Sequence, residues 1–233
     1  MLNSLDRLIR QGLYKEGNPL RLHLGCGQTK LPGFINIDYA QENHNVMTVA
    51  ADYISDIGDL SFPNDTVARV ESHHVFEHFK KYDALALLVN WTCWLKVGGQ
   101  LVIATPNIEG LAETIASKDV NYEDKIKAIR HLEGDQSDKW AFHIGHWFPE
   151  RYLKTLEALG YYKDNITIKA TKRHGGILSD VYVIAIKHKH IDKNDLIDSA
   201  CEILKLGMID ECEKPMYDIW CNYLRNNFED AND

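Results

Sequence analysis

The sequence predicts an α/β fold built on a doubly wound, mostly parallel sheet of seven strands. Two observations carry this. Short apolar segments alternate with stretches of helical period, and one strand runs straight into a glycine turn with an acid closing the next strand. A third, the helix-periodic tail after residue 190, adds a C-terminal helical appendage.

The elements follow in order. Leu2, Leu5, Leu8, Ile9 and Leu13 fall at helical spacing, so residues 1–18 form an N-terminal helix ended by Gly17-Asn18-Pro19. The first strand is Leu20–Leu24, which enters Gly25-Cys26-Gly27. Phe34–Ile37 is the second, closed by Asp38; Asn45–Ala51 is the third, closed by Asp52; Val67–Ser72 is the fourth. A helix at Leu85–Leu95 stops before Gly98-Gly99. The fifth strand, Gln100–Ala104, ends at Thr105-Pro106-Asn107. Residues 108–148 break the rhythm as a long polar insertion with one helix, Tyr122–Leu132, expected to be a mobile cover over a ligand. Pro149–Leu159 is a helix followed by Gly160, and Ile166–Ala170 with Val181–Ile186 form an edge pair. This alternation places helices on both faces of the sheet and bounds the main domain at 19–190. In the appendage, 191–233, two stripes appear. One is Leu196, Ile197, Ala200, Cys201 and Leu204; the other is Met216, Tyr217, Trp220, Tyr223 and Leu224. They are expected to pack on the body or on a second copy in a homodimer.

Composition excludes several classes. With 233 residues, 45% of them apolar, the chain buries a core without staples. No apolar run approaches a membrane span, and residues 1–17 lack the apolar stretch of a secretory signal. Five cysteines without a CxxC pair argue against a disulfide scaffold and for a reducing cytoplasm. Net charge is −8; residues 191–233 carry eleven acids against four bases, a net of −7, which leaves −1 for the rest. Such a surface is not made for a phosphate backbone, so no nucleic-acid partner is expected.

The segment Leu22-His23-Leu24-Gly25-Cys26-Gly27-Gln28 followed by Asn36-Ile37-Asp38-Tyr39 places a carboxylate beside a ribose at the strand ends. From Gly25 the run is GCGQTK, so the third glycine of a dinucleotide fingerprint is missing, and no phosphate-binding G-x-x-x-x-G-K-[ST] occurs. A nucleoside ligand without phosphates fits this better than NAD or ATP.

Four ordered segments carry a resemblance: LHLGCGQTKLPGFINIDY (22–39), ADYISDIGDLSFPNDTVARVESHHVFEHF (51–79), WLKVGGQLVIATPN (94–107) and the weaker HWFPERYLKTLEALGY (146–161). Together they resemble the class I S-adenosylmethionine-dependent methyltransferases, a Rossmann-like fold. More narrowly, they resemble the small bacterial type associated with sugar and surface-polysaccharide modification. The resemblance implies that Gly25, Cys26 and Gly27 line the methionine part of the cofactor and that Asp38, followed by Tyr39, holds the ribose. It implies that Asp56 meets the adenine amino group beside the Ile57 backbone, with Asp52 and Asp59 competing for that role, and that His73 and His74 face the amino-acid end. The family's third glycine is replaced around Thr29, with Gly33 arriving late, and Arg69 stands at an often acidic position.

His74-Val75-Phe76-Glu77-His78 reads as an H-x-x-E-H metalloprotease motif. The family context is non-metal and no third ligand is evident in a downstream helix, so no metal is expected. The alternative is that Glu77 and His78 tie a helix start to neighbouring loops. His146, with His143 or Glu77 as alternatives, is the candidate base; Asn107, Trp147 and His174 are candidate substrate contacts, although Trp147 also reads as packing. The expected activity moves a methyl group from S-adenosylmethionine to an oxygen of a small molecule, a sugar, nucleotide sugar or polysaccharide precursor, leaving S-adenosylhomocysteine. A phosphate or carboxylate acceptor would need no base and would be met by the histidines and Lys172-Arg173. A non-catalytic cofactor-binding scaffold, a protein methyltransferase and a nicotinamide oxidoreductase are the competing readings.

Overall fold

A computed structural model describes residues 2–228. The sheet has seven strands in the order β3-β2-β1-β4-β5-β7-β6. They are β1 (Leu20–Leu24), β2 (Ile35–Asp38), β3 (Tyr53–Ile54), β4 (Val67–His73), β5 (Leu95–Pro106), β6 (Ile166–Arg173) and β7 (Leu178–Ile186). The first five run parallel, and β7 is antiparallel to both β5 and β6. Strand order reverses between β1 and β4, so the doubly wound Rossmann-like plan is met, and β6 with β7 is the expected edge pair.

Seven α-helices accompany it: α1 (Ser4–Arg10), α2 (Lys81–Trp94), α3 (Ile108–Ala116), α4 (Tyr122–Glu133), α5 (Pro149–Ala158), α6 (Lys193–Lys205) and α7 (Lys214–Asn226). Helix starts follow local chemistry. Asn121 and Asp192 accept the first-turn N–H groups of Asp124 and Asn194 and so cap α4 and α6, and Pro149 opens α5. Unlike α4, α3 was not anticipated. Its interior Gly110 lowers helical propensity, but a Cβ there would lie 2.2 Å from Ser179 Oγ, so the glycine serves close packing on β7.

The third strand forms later than expected. Met47 and Val49 alternate with polar Thr48 as a strand would, but their backbone is held as a loop by one side chain. Gln41 Nε2 donates to the Met47 carbonyl at 2.8 Å, and its Oε1 accepts from Val49 N–H at 2.9 Å. Pairing with β2 falls to Tyr53 and Ile54 instead.

The two sheet faces differ. Leu20, Leu22, Leu24, Ile37, Val70, Leu101, Ile103, Val181, Val183 and Ala185 share one face and join the main core with apolar side chains of α1, α2, α5, α6 and α7. The other face carries Arg21, His23, Asn36, Arg69, Glu71, His73, Gln100 and Tyr182. Arg69 bridges Glu71 (2.8 Å) and Gln100 (2.9 Å), and Glu71 meets His73 at 2.8 Å, which accounts for a basic residue at 69. The expectation of helices on both faces is met on one. The β1–β2 and β2–β3 connections, which would supply the second layer, hold no α-helix, only a 3-10 turn at Gln41–Asn43. Helices α3 and α4 instead stand over the carboxyl edge, where His131 of α4 meets Asp180 of β7 at 2.8 Å.

The tail is not a loose appendage. All five residues of its first stripe are buried, and Leu224 of the second is fully buried, with Tyr217 and Trp220 packed against the same core. Tyr223 stacks on Tyr82 of α2 with ring centroids 5.0 Å apart. The first stripe is therefore spent within the chain and the second in part, since Tyr223 stays half exposed. The acidic terminal residues 229–233 lie outside the described residues. No described helix is long and apolar enough to cross a membrane.

Candidate active site

At the carboxyl ends of β1, β2 and β4, where the strand order reverses, lies a cavity of about 420 Å³. Gly25, Cys26, Gly27, Asp38, Tyr39, Ile57, His73 and His74 all line it. The turn is built for close approach. Gly25 has φ +70°, and a Cβ on it would sit 2.1 Å from Val75 Cγ2, so only glycine fits. Gly25 and Cys26 N–H both donate to the Ile37 carbonyl, which folds the turn against the end of β2. Asp38, 7% exposed, accepts from Gly27 N–H (2.6 Å) and Tyr39 N–H (2.7 Å), so its carboxylate is fixed before any ligand arrives. Burial, reinforced by Asp38, pushes the Cys26 thiol up to about 12, so it is a protonated apolar liner and not a nucleophile.

Asp56 stands beside the cavity and does not line it. Its carboxylate accepts from Gly58 N–H (2.8 Å) and Tyr39 O–H (3.1 Å), and Ser55 and Ile57 line the cavity on either side of it. Asp52, the first competitor, is engaged by Lys30 and Asn36, and neither it nor Asp59 reaches the lining.

The roof comes from residues that carried no motif: His44, Met47 and Trp140. Trp140, from the insertion, donates its indole N–H to the Asn43 carbonyl (2.7 Å) and meets His44 edge-on at 5.1 Å. Asn45 is tied to Asp138 (3.1 Å) and Ser137 (3.1 Å). The insertion thus covers the first cavity through contacts with the β2–β3 connection. His44 is 8% exposed, and neither ring nitrogen has a hydrogen-bond partner, although Nε2 lies 3.2 Å from Asp38 Oδ1. Its ring lines the cavity beside the Asp38 carboxylate.

A second chamber, about 380 Å³, adjoins the first and shares Met47, His74, His78 and Trp140 with it. Its other walls include Arg130, His131, His143, Arg173 and His174. His74 stands in both, held at φ +54°, a left-handed conformation uncommon for a side chain larger than glycine. Burial pulls its proton affinity down, but Glu77 at 3.4 Å and Asp180 at 3.9 Å outweigh that and raise it. Burial lowers the pKa of His143, and Glu77 opposes the shift.

The remaining candidates separate. His143 and His174 line the chamber, and Glu77 is buried behind it. His146, the expected base, is exposed, lines neither cavity, and turns its carbonyl to Arg151. Of the two histidines only His143 lines the chamber. Trp147 is 2% exposed and stacked on Tyr152 (4.5 Å) and Phe76 (4.9 Å), a core residue and not a substrate contact. Asn107 is 4% exposed and spends its amide on Ser179 Oγ (3.2 Å). The reading of Glu77 and His78 as loop ties is half met: Ile144 and Gly145 N–H donate to the Glu77 carbonyl, and His78 binds the Phe142 carbonyl. The helical geometry of H-x-x-E-H is absent, because residues 76–78 form a 3-10 turn and His74 is left-handed.

No family model matches the chain, and no curated protein does. Among solved structures it is similar to an S-adenosylmethionine-dependent methyltransferase from Mesorhizobium loti, at 14% identity and a TM-score of 0.50 over 78% of this chain and 96% of that one. A SAM-dependent methyltransferase from Archaeoglobus fulgidus matches at 18% identity and a TM-score of 0.44, over 78% and 92% of the two chains. The first likeness shows the fold: the seven-stranded sheet is of the class I methyltransferase type.

Proposed function

We propose that the protein is an S-adenosylmethionine-dependent methyltransferase acting on an oxygen of a small hydroxylated molecule. The observation that carries the reading is the pair of adjoining cavities meeting at His74 and His78. One matches the donor site that the fold leads one to expect, and the other leaves room for an acceptor. The glycine turn, the prefixed Asp38 and the buried His44 fit a nucleoside with polar groups but no phosphates. S-adenosylmethionine would supply a methyl group already activated by its sulfonium. The chain's own task is then alignment and removal of one proton.

His74 takes the role first given to His146. It lies at the junction, and Glu77 and Asp180 favour its protonated form, so it accepts the hydroxyl proton as the oxygen–methyl bond forms. The acceptor is a sugar, nucleotide sugar or polysaccharide precursor. Arg130 and Arg173 stand in the second chamber beside Asp135 and Asp180, so its polar wall suits a hydroxylated acceptor of that class.

Calorimetric titration with S-adenosylmethionine and S-adenosylhomocysteine tests the reading. Saturable binding to the wild type, weakened at least tenfold in Asp38→Ala, is the expected result. Failure of the wild type to bind either compound removes the proposal.

A further inference from the structure

Glu77 is 1% exposed, and neither carboxylate oxygen has a hydrogen-bond partner. His74 Nδ1 stands 3.4 Å from its Oε1, and a buried carboxylate that makes no hydrogen bond is costly unless a cation meets it. Its neighbours are arranged to supply the rest of a binding set. Glu77, His78 and His143 each offer one ligand atom, and these atoms lie within 4.8 Å of one another. Nδ1 of His143 lies 3.0 Å from the His131 carbonyl, and Nδ1 of His78 lies 3.1 Å from the Phe142 carbonyl. A carbonyl only accepts, so each Nδ1 holds the proton and each Nε2 keeps its lone pair. His143 Nε2 is 3.8 Å from Glu77 Oε1. Backbone carbonyls that fix the tautomer of two imidazoles are how proteins hold metal-binding histidines.

The loop that brings these groups together is itself secured. His143 N–H donates to the Glu133 carbonyl, and the Glu77 carbonyl receives Ile144 and Gly145 N–H. At Gly134 a Cβ would lie 2.2 Å from the Ala141 carbonyl oxygen, so the turn leading into the loop admits no larger residue.

We infer that Glu77, His78 and His143 form a site for one divalent transition-metal ion, opening on the second chamber. Two imidazoles and one carboxylate with open positions suit zinc, cobalt, iron(II) or manganese and not magnesium or calcium. Bonds of about 2.0–2.2 Å require donor atoms about 3.0–3.5 Å apart, a contraction that side-chain rotation supplies. The third donor, which no downstream helix offered, thus comes from the loop that carries His143. An ion here would bind and polarise the acceptor oxygen. That role rests on the methyl-transfer reading; the binding does not.

Cobalt(II) chloride is titrated into the full-length protein, followed by visible absorption and by indole emission, since the Trp140 ring lies 5.4 Å from His78. The expected result is one equivalent bound with ligand-field absorption, displaced by zinc. Glu77→Gln and His143→Gln should each weaken binding about a hundredfold, while His188→Ala, remote from the site, leaves it unchanged. Circular dichroism and S-adenosylmethionine titration of the same variants report whether they fold and keep the first cavity. No saturable binding by the wild type overturns the site. Undiminished binding by folded Glu77→Gln and His143→Gln also overturns it, and Glu77 is then only a counter-charge for His74. Retained S-adenosylmethionine binding in either case leaves the functional reading standing.

Discussion

Asp180 concentrates the electrostatics of the second chamber. Burial alone would raise its pKa, but hydrogen bonds from His131 and Arg173 and the nearby His74 hold it at about 2. A depressed carboxylate stabilises the fold above the ordinary aspartate range and loses that contribution as pH falls through about 4 towards 2. Asp180→Asn should therefore cost about 1–2 kcal/mol at pH 7, a range discounted because Arg173 is half exposed. The gap to the wild type should close on acidification; denaturant melts at pH 7 and pH 3 check this, and a constant gap would place the loss elsewhere. At this scale the sequence was legible where the constraint is local. Gly25, Gly27 and Asp38 are dictated by a turn and the strand that follows it. His143 and His146 were not separable, because they lie in an irregular segment that leaves no periodicity to read. Arg130 and His131 were hidden for another reason: a helical period shows which face is polar, not what that face meets.

Among the elements, the insertion decides access. It grips the β2–β3 connection through Trp140 to Asn43, and through Asn45 to Ser137 and Asp138. A ligand in the first cavity touches both partners, so indole emission should change on saturation with S-adenosylhomocysteine. Trp140→Phe should lose most of that change and bind several-fold more weakly; an unaltered response would show that the cover plays no part. The helix Tyr122–Glu133 could be read from its capping Asn121 and its period. The displaced third strand could not, since Gln41 overrides an alternation that looks extended.

For the whole molecule, the tail is part of the core. Leu224 is fully buried where α7 meets α2 and α6, so Leu224→Ala should lower stability by about 2–5 kcal/mol and broaden or lower the thermal transition. An unchanged melting temperature would return the tail to the status of an appendage. The sequence showed both stripes but not their partner, because a stripe reads the same whether it meets its own chain or another. The helix-free connection after Gly27 has an electrical consequence. A helix beginning there would present a macrodipole, about half a positive charge, to whatever sits on the turn. That field draws in pyrophosphates and repels cations. Here it is absent, and the nearest fixed charge is the carboxylate of Asp38. The glycine turn therefore sorts ligands by sign: it withholds from polyphosphates the attraction they find in dinucleotide sites, and it puts no repulsion in the way of a sulfonium.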